Sequence, residues 1–263
     1  MSDQIPGSAP RACECTYRGN LAAKPQLIEK DGRKFVSARM GVNMAAPNVP
    51  REEQDELTEW VDMLAFPEVM QTRLLACNKG ETIAVFGHVT KKPYERRDGG
   101  TAVSRTIIPD SIRTASGEPA STGDQIRGSI PRACDCTYRG RLAAKPELVE
   151  KDGRKFVSAQ VAVHMVAPNV PREKHDELTE WVDVIVFSEA MQARLLTCEK
   201  GETISVAGNV TKKPYERRDG ETAVSRTIIA DYVRAASASI AGTGARKPAE
   251  KVEQAPQPDQ PPE

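Results

Sequence analysis

An internal duplication constrains this chain more than any other feature: Asp3-Gln-Ile-Pro-Gly-Ser8 recurs as Asp124-Gln-Ile-Arg-Gly-Ser129, and a constant offset of 121 carries the match without a gap to Ser116 and Ser237. Roughly three-quarters of the paired positions are identical. A period this long exceeds any solenoid unit and fits a complete small domain. The expected organisation is therefore one domain over 3–116, a linker over 117–123, a second copy over 124–237 and a tail over 238–263. The linker combines small residues with Pro and Gly, and the tail is rich in Pro, Gln and charge, so flexibility is expected in the first and disorder in the second.

Composition excludes several classes. Of 263 residues 39% are hydrophobic, which rules out wholesale disorder and supplies two modest cores. No run approaches the roughly eighteen uninterrupted apolar residues of a membrane-spanning helix, so a soluble globular protein is expected. With 37 basic and 37 acidic side chains the net charge is zero, so a polyanion is not held by bulk charge and any anion site must come from local clustering. The segment from Met1 to Cys15 has no apolar stretch behind a basic start, which predicts no signal peptide and a cytoplasmic location. In that compartment the six cysteines are expected as reduced thiols.

Within copy one, Ala12 to Leu21, Lys34 to Met44 and Thr58 to Phe66 alternate in character and read as strands. Glu68 to Asn78 spaces Met70, Leu74 and Cys77 for one helical face, with Gly80 placed to end the helix and, in copy two, Ser188 placed to cap it. Thr82 to Val89 and Thr101 to Arg113 are two further strands, joined through a hairpin marked by Asp98-Gly99. Five strands with a helix between the third and fourth is the layout of an OB-fold, a Greek-key barrel, so the expected fold class is all-β: two tandem OB-fold barrels with one short helix each. SH3-like barrels share much of this element order, so the side chains must decide.

Aromatics are scarce, and each copy has one Trp, Trp60 and Trp181, inside Thr-Glu-Trp-Val-Asp, with Phe66 and Phe187 at even spacing on the same strand. Even spacing puts Trp and Phe on one side, as a core stripe or as a platform for stacking bases. Asp62 and Asp183 interrupt the stripe, which a sealed core does not accept unpaired, while Val61, Met63 and Ala65 supply the opposite face for burial. Exposure of the stripe is expected. Lys91, Lys92, Arg96 and Arg97 surround Tyr94, and Lys212, Lys213, Arg217 and Arg218 surround Tyr215. Cations around an aromatic suit a single strand, phosphates on the charges and a base on the ring. Arg105 and Arg226, or Arg18 and Arg139, either extend this positive track or decorate an outer face.

Other chemistry has less support. The acids Glu52, Glu53, Asp55, Glu56 and Glu59 read as a solvated loop rather than a nuclease metal site. His88, His164 and His175 face Asn209, Asn43 and Gln54 in the other copy, so no histidine site is shared by both domains, and nucleophile-elbow and Walker signatures are missing. No enzyme activity is expected. Cys13, Cys15 and Cys77, repeated as Cys134, Cys136 and Cys198, fall one ligand short of a closed zinc site, so buried thiols are expected, with no metal and no cofactor.

Four segments of copy two, in order, are Gly140-Arg-Leu with Lys145-Pro-Glu-Leu148, Thr179-Glu-Trp-Val-Asp-Val-Ile-Val-Phe187, Lys200-Gly-Glu-Thr-Ile-Ser-Val-Ala-Gly208 and Tyr215-Glu-Arg-Arg-Asp-Gly220. Copy one repeats them at Gly19, Lys24-Pro25, Trp60, Lys79-Gly80 and Asp98-Gly99. Over nearly all of each copy the chain resembles the bacterial single-stranded DNA-binding protein family. The resemblance implies that Trp60, Phe66 and Tyr94, and Trp181, Phe187 and Tyr215, stack bases. It also implies sequence-independent protection of single-stranded DNA in replication, recombination or repair, and a homodimer that brings four OB domains together. Two departures stand out. The chain ends Asp259-Gln-Pro-Pro-Glu263 rather than in the family's acidic tip with a terminal aromatic, so capture of enzyme partners through the tip is not expected. Around Ala45 to Pro50 the family's usual aromatic has no counterpart. An RNA-binding OB protein, an OB scaffold without nucleic acid and a metal-dependent nuclease remain the alternatives.

Overall fold

A computed structural model of the chain describes residues 12–95, 99, 101–114, 133–167, 170–175, 178–216, 220 and 222–235. The expected linker and tail, and Arg96, Arg97, Arg217 and Arg218 of the hairpins, lie outside the described residues. Copy one runs β1 (Cys13–Leu21), β2 (Gln26–Lys30), β3 (Arg33–Asn43), β4 (Thr58–Ala65), α1 (Glu68–Leu75), β5 (Thr82–Glu95) and β6 (Thr101–Thr114). Copy two repeats the order as β7 (Cys134–Leu142), β8 (Glu147–Lys151), β9 (Arg154–His164), β10 (Thr179–Val186), α2 (Glu189–Leu196), β11 (Thr203–Glu216) and β12 (Thr222–Ala235).

Strand pairing closes each copy into a barrel. β1 pairs with both β3 and β5, β3 with β4, β5 with β6, and β4 runs parallel to β6 through Val61↔Arg105 and Met63↔Ile107. That circuit of five, with one parallel contact and a helix between its third and fourth members, is the OB-fold. Alternation does the sorting: on β4, Val61, Met63 and Ala65 are fully buried against Val36, Met40 and Ile107 while their neighbours face out. β2 is a sixth strand that the sequence reading missed. It pairs only with β3, its side chains are half-buried or exposed, and so it carries little of the alternation that betrays a core strand. The turn into β3 places Asp31 at φ 51° and Gly32 at φ 70°, the left-handed pair that a two-residue hairpin requires.

The helices are shorter than their spacing suggested. α1 stops at Leu75, so Cys77 is buried just beyond the helix, and Gly80, at φ 79°, turns the chain later. Ser188 does stand at the start of α2, but its side chain makes no capping bond. A glutamine pins the entry instead: Gln192 donates to the carbonyls of Phe187 at 2.9 Å, Val186 at 3.2 Å and Lys155 at 3.3 Å, and Gln71 does the same to Phe66 and Lys34.

The two barrels form one body rather than beads on a string. β1 pairs antiparallel with β7, which makes the described strands one continuous twelve-stranded sheet. The register sets Cys15 directly opposite Cys136, and the two form a disulfide. This corrects the expectation of six reduced thiols: both side chains point inward at the centre of a pair of strands, where nothing separates the sulfurs. Cys13, Cys77, Cys134 and Cys198 are free and buried. Burial pushes the Cys13 thiol up to about 12, so it stays protonated. Each copy also sends a loop to the other. Met44 and Ala46 bond Lys212 of β11, and Met165 and Ala167 bond Lys91 of β5.

Candidate nucleic-acid interface

The outward face of β4 and β10 holds the stripe. Trp60 is 51% exposed and Trp181 54%, too open for a core role. Tyr94 and Tyr215, on the arms formed by β5–β6 and β11–β12, are also exposed. All four rings line one open groove of about 1300 Å³ that runs across both copies. Phe66 and Phe187, expected on the same strands, are exposed just beyond the ends of β4 and β10, outside the groove lining, and pair with Phe35 at 5.6 Å and Phe156 at 5.8 Å between ring centroids. Phe35 and Phe156 escaped the sequence reading, although their place on a strand beside the stripe was visible in the alternation from Lys34 onward.

Strand pairing fixes what surrounds each Trp. Gly41 lies opposite Trp60 and Arg39 opposite Asp62. The Arg39 guanidinium carbon is 5.6 Å from the Trp60 ring centroid, and its Nε is 3.6 Å from Asp62 Oδ1. Burial raises the Asp62 carboxyl above its usual range and Arg39 pulls it back only in part. Neither Arg39 nor its counterpart Gln160 was singled out in the sequence.

Beneath the rings lies an ion-pair network that the sequence reading misassigned. Glu59 takes Arg105 of its own copy together with Lys212 and Arg226 of the other, the last at 2.5 Å. Reciprocally, Glu180 takes Arg226 and Arg105 at 2.5 Å and Lys91. Four cations thus enclose two carboxylates. Glu59 is buried, unlike Glu52, Glu53, Asp55 and Glu56, which are exposed as expected. Burial alone would raise the Glu59 carboxyl, but Arg105, Arg226 and Lys212 outweigh it and hold the group near 2. Glu180 is held well below the ordinary carboxylate range against the same opposing burial.

This network corrects the roles expected of Lys91 and Lys212. Lys91 is 9% exposed and Lys212 little more so; their ammonium groups bind the other copy's glutamate, so neither is a free phosphate ligand. Arg105 and Arg226 neither extend a surface track nor decorate an outer face, since they are the centre of the network. Lys92 and Lys213, by contrast, alternate to the outside of their arms and are exposed. Arg18 and Arg139 are exposed on β1 and β7, away from the groove lining.

Comparison with known proteins matches residues 136–236 to the Single-strand binding protein family. Copy two is thus single-strand-binding-protein-like, and copy one, roughly three-quarters identical to it, carries the same motifs. No curated protein matches the chain. Among solved structures, the wild-type single-stranded DNA binding protein from Thermus aquaticus aligns over 92% of this chain and 97% of its own at 17% identity, with a TM-score of 0.45. The small single-stranded DNA-binding protein from Streptomyces coelicolor aligns over 40% of this chain and 94% of its own at 19% identity, with a TM-score of 0.33. Among the described residues no helix is long and apolar enough to cross a membrane.

Proposed function

Starting from a chain that is similar to the single-strand binding proteins, we propose that it binds single-stranded DNA without sequence preference. Bases stack on Trp60, Tyr94, Trp181 and Tyr215. The observation that carries this reading is that these four exposed rings, two from each copy, line one open groove. Every base has a π-face, so stacking tolerates any sequence. Lys92 and Lys213 on the arms supply phosphate contacts that the buried lysines do not. Phe66 and Phe187 extend the platform along β4 and β10.

Such a protein shields a strand during replication, recombination or repair, and the reading assigns it no catalytic step. Two copies per chain suit a homodimer with four OB domains, which light scattering of the purified protein measures directly. A gel shift tests the binding. A labelled dT oligonucleotide should shift at low salt, resist competition by duplex DNA and by RNA of the same sequence, and stay intact when divalent ions are added. Preference for the ribose strand, absence of any shift, or degradation with divalent ions would each replace this reading with one of its rivals.

A further inference from the structure

Resting on that reading, we propose that the two halves of the groove are unequal. The half around Trp60 takes a phosphate that the half around Trp181 does not, so a short strand occupies copy one first and salt weakens that half more steeply.

The duplication makes the comparison exact in register: Arg39 of copy one stands where copy two has Gln160, and both lie on the groove. Both platforms carry a carboxylate beside the ring, Asp62 or Asp183. In copy one Arg39 offsets that charge at 3.6 Å while its guanidinium sits against the Trp60 ring, with more than half of the side chain open to solvent. In copy two Gln160 donates a hydrogen bond to Asp183 at 3.1 Å and brings no charge. A backbone phosphate following the bases therefore meets a neutral pair with an available guanidinium at Trp60, and a net negative charge at Trp181. Guanidinium is also the side chain best shaped to take a phosphate in a fork.

A second difference lies under the rings. Trp60 is opposite Gly41, and a Cβ built there would come within 3.2 Å of Trp60 Cζ3, so the ring lies down on bare backbone. Trp181 is opposite Ala162, which carries a methyl group where copy one has none. The copy-one ring thus packs against bare backbone, with the Arg39 guanidinium held over it.

Single-tryptophan reporters test this in the full chain, since it has only two tryptophans. Trp181→Phe leaves Trp60 to report, and Trp60→Phe leaves Trp181; each is titrated with a dT oligomer of about six nucleotides, within the ~4 to 16 that one OB domain covers. The Trp60 reporter should be quenched at lower DNA concentration. Between 50 and 200 mM salt its midpoint should rise about 2.5-fold more than that of the Trp181 reporter, the consequence of one extra phosphate contact at a slope of about 0.7. Arg39→Gln should abolish the difference, and Gln160→Arg should give the Trp181 reporter the steeper dependence. If both reporters quench at one concentration with one salt dependence, the halves are equivalent, and if the Arg39→Gln variant leaves the gap intact, Arg39 is not its source; either result overturns the proposed phosphate contact and leaves the binding reading standing. If neither reporter responds to DNA at any salt, the binding reading falls with it.

Discussion

Trp60 and Trp181 illustrate how one residue type is assigned by its neighbours. On β4 the buried positions are taken by Glu59, Val61, Met63 and Ala65, so the alternate face has no core left to join. This much was legible in the sequence, because a strand has only two faces and the carboxylates Asp62 and Asp183 marked the wet one. Trp60→Ala or Trp181→Ala should therefore weaken DNA binding by about 1–3 kcal/mol per stacked base while leaving the thermal midpoint nearly unchanged, as filter binding and calorimetry would reveal. Glu59 is the opposite case. Five acids in one stretch looked alike in sequence, and nothing local marks the one that pairs with cations 46 to 167 positions away. Glu59→Gln keeps the shape but leaves Lys212, Arg105 and Arg226 short of a counter-charge. We expect a loss on the order of 3 kcal/mol in urea unfolding, with a surface control such as Glu56→Gln nearly silent.

The elements were read with similar unevenness, for physical reasons. Strands with one buried face announce themselves by period, and all five barrel strands did. β2 escaped because its side chains touch little, and the helix was drawn too long because Cys77 is buried from beyond the last turn rather than from within it. Capping chemistry also misled: Ser188 occupies the right position, yet the entry of α2 is fastened by Gln192 to three carbonyls at the end of β10 and the start of β9. Gln192→Ala should strand those acceptors and cost about 1–3 kcal/mol of stability. Hydrogen exchange would locate the loosening at α2, and DNA affinity would hold, since the helix is not part of the groove. A variant as stable as the parent would mean that water replaces the glutamine at no cost.

For the molecule as a whole, the duplication was plain in sequence but the way the copies meet was not. β1 and β7 each look like an ordinary barrel strand, and only their mutual pairing turns Cys15 and Cys136 into a cross-link and Lys91 and Lys212 into interface groups. Because the groove belongs to both copies, its integrity depends on the network beneath it. The sign of the acid response follows from the carboxylates: the Glu59 group sits near 2 when folded against an ordinary 4.5, so its contribution is complete above 4.5 and is lost as pH falls from there toward 2. Glu180 shifts in the same direction and adds to the loss. Urea midpoints should accordingly be level above that window and fall through it; a midpoint that holds constant down to the lower bound would show the network to be energetically silent. The intrinsic fluorescence of the unmodified protein during titration with poly-dT reads the groove itself. Both tryptophans should be quenched at saturation, and rising salt should reverse the quenching as counterions reclaim the phosphates. Emission that ignores saturating DNA at low salt would contradict the assignment of the exposed rings as a base-stacking platform.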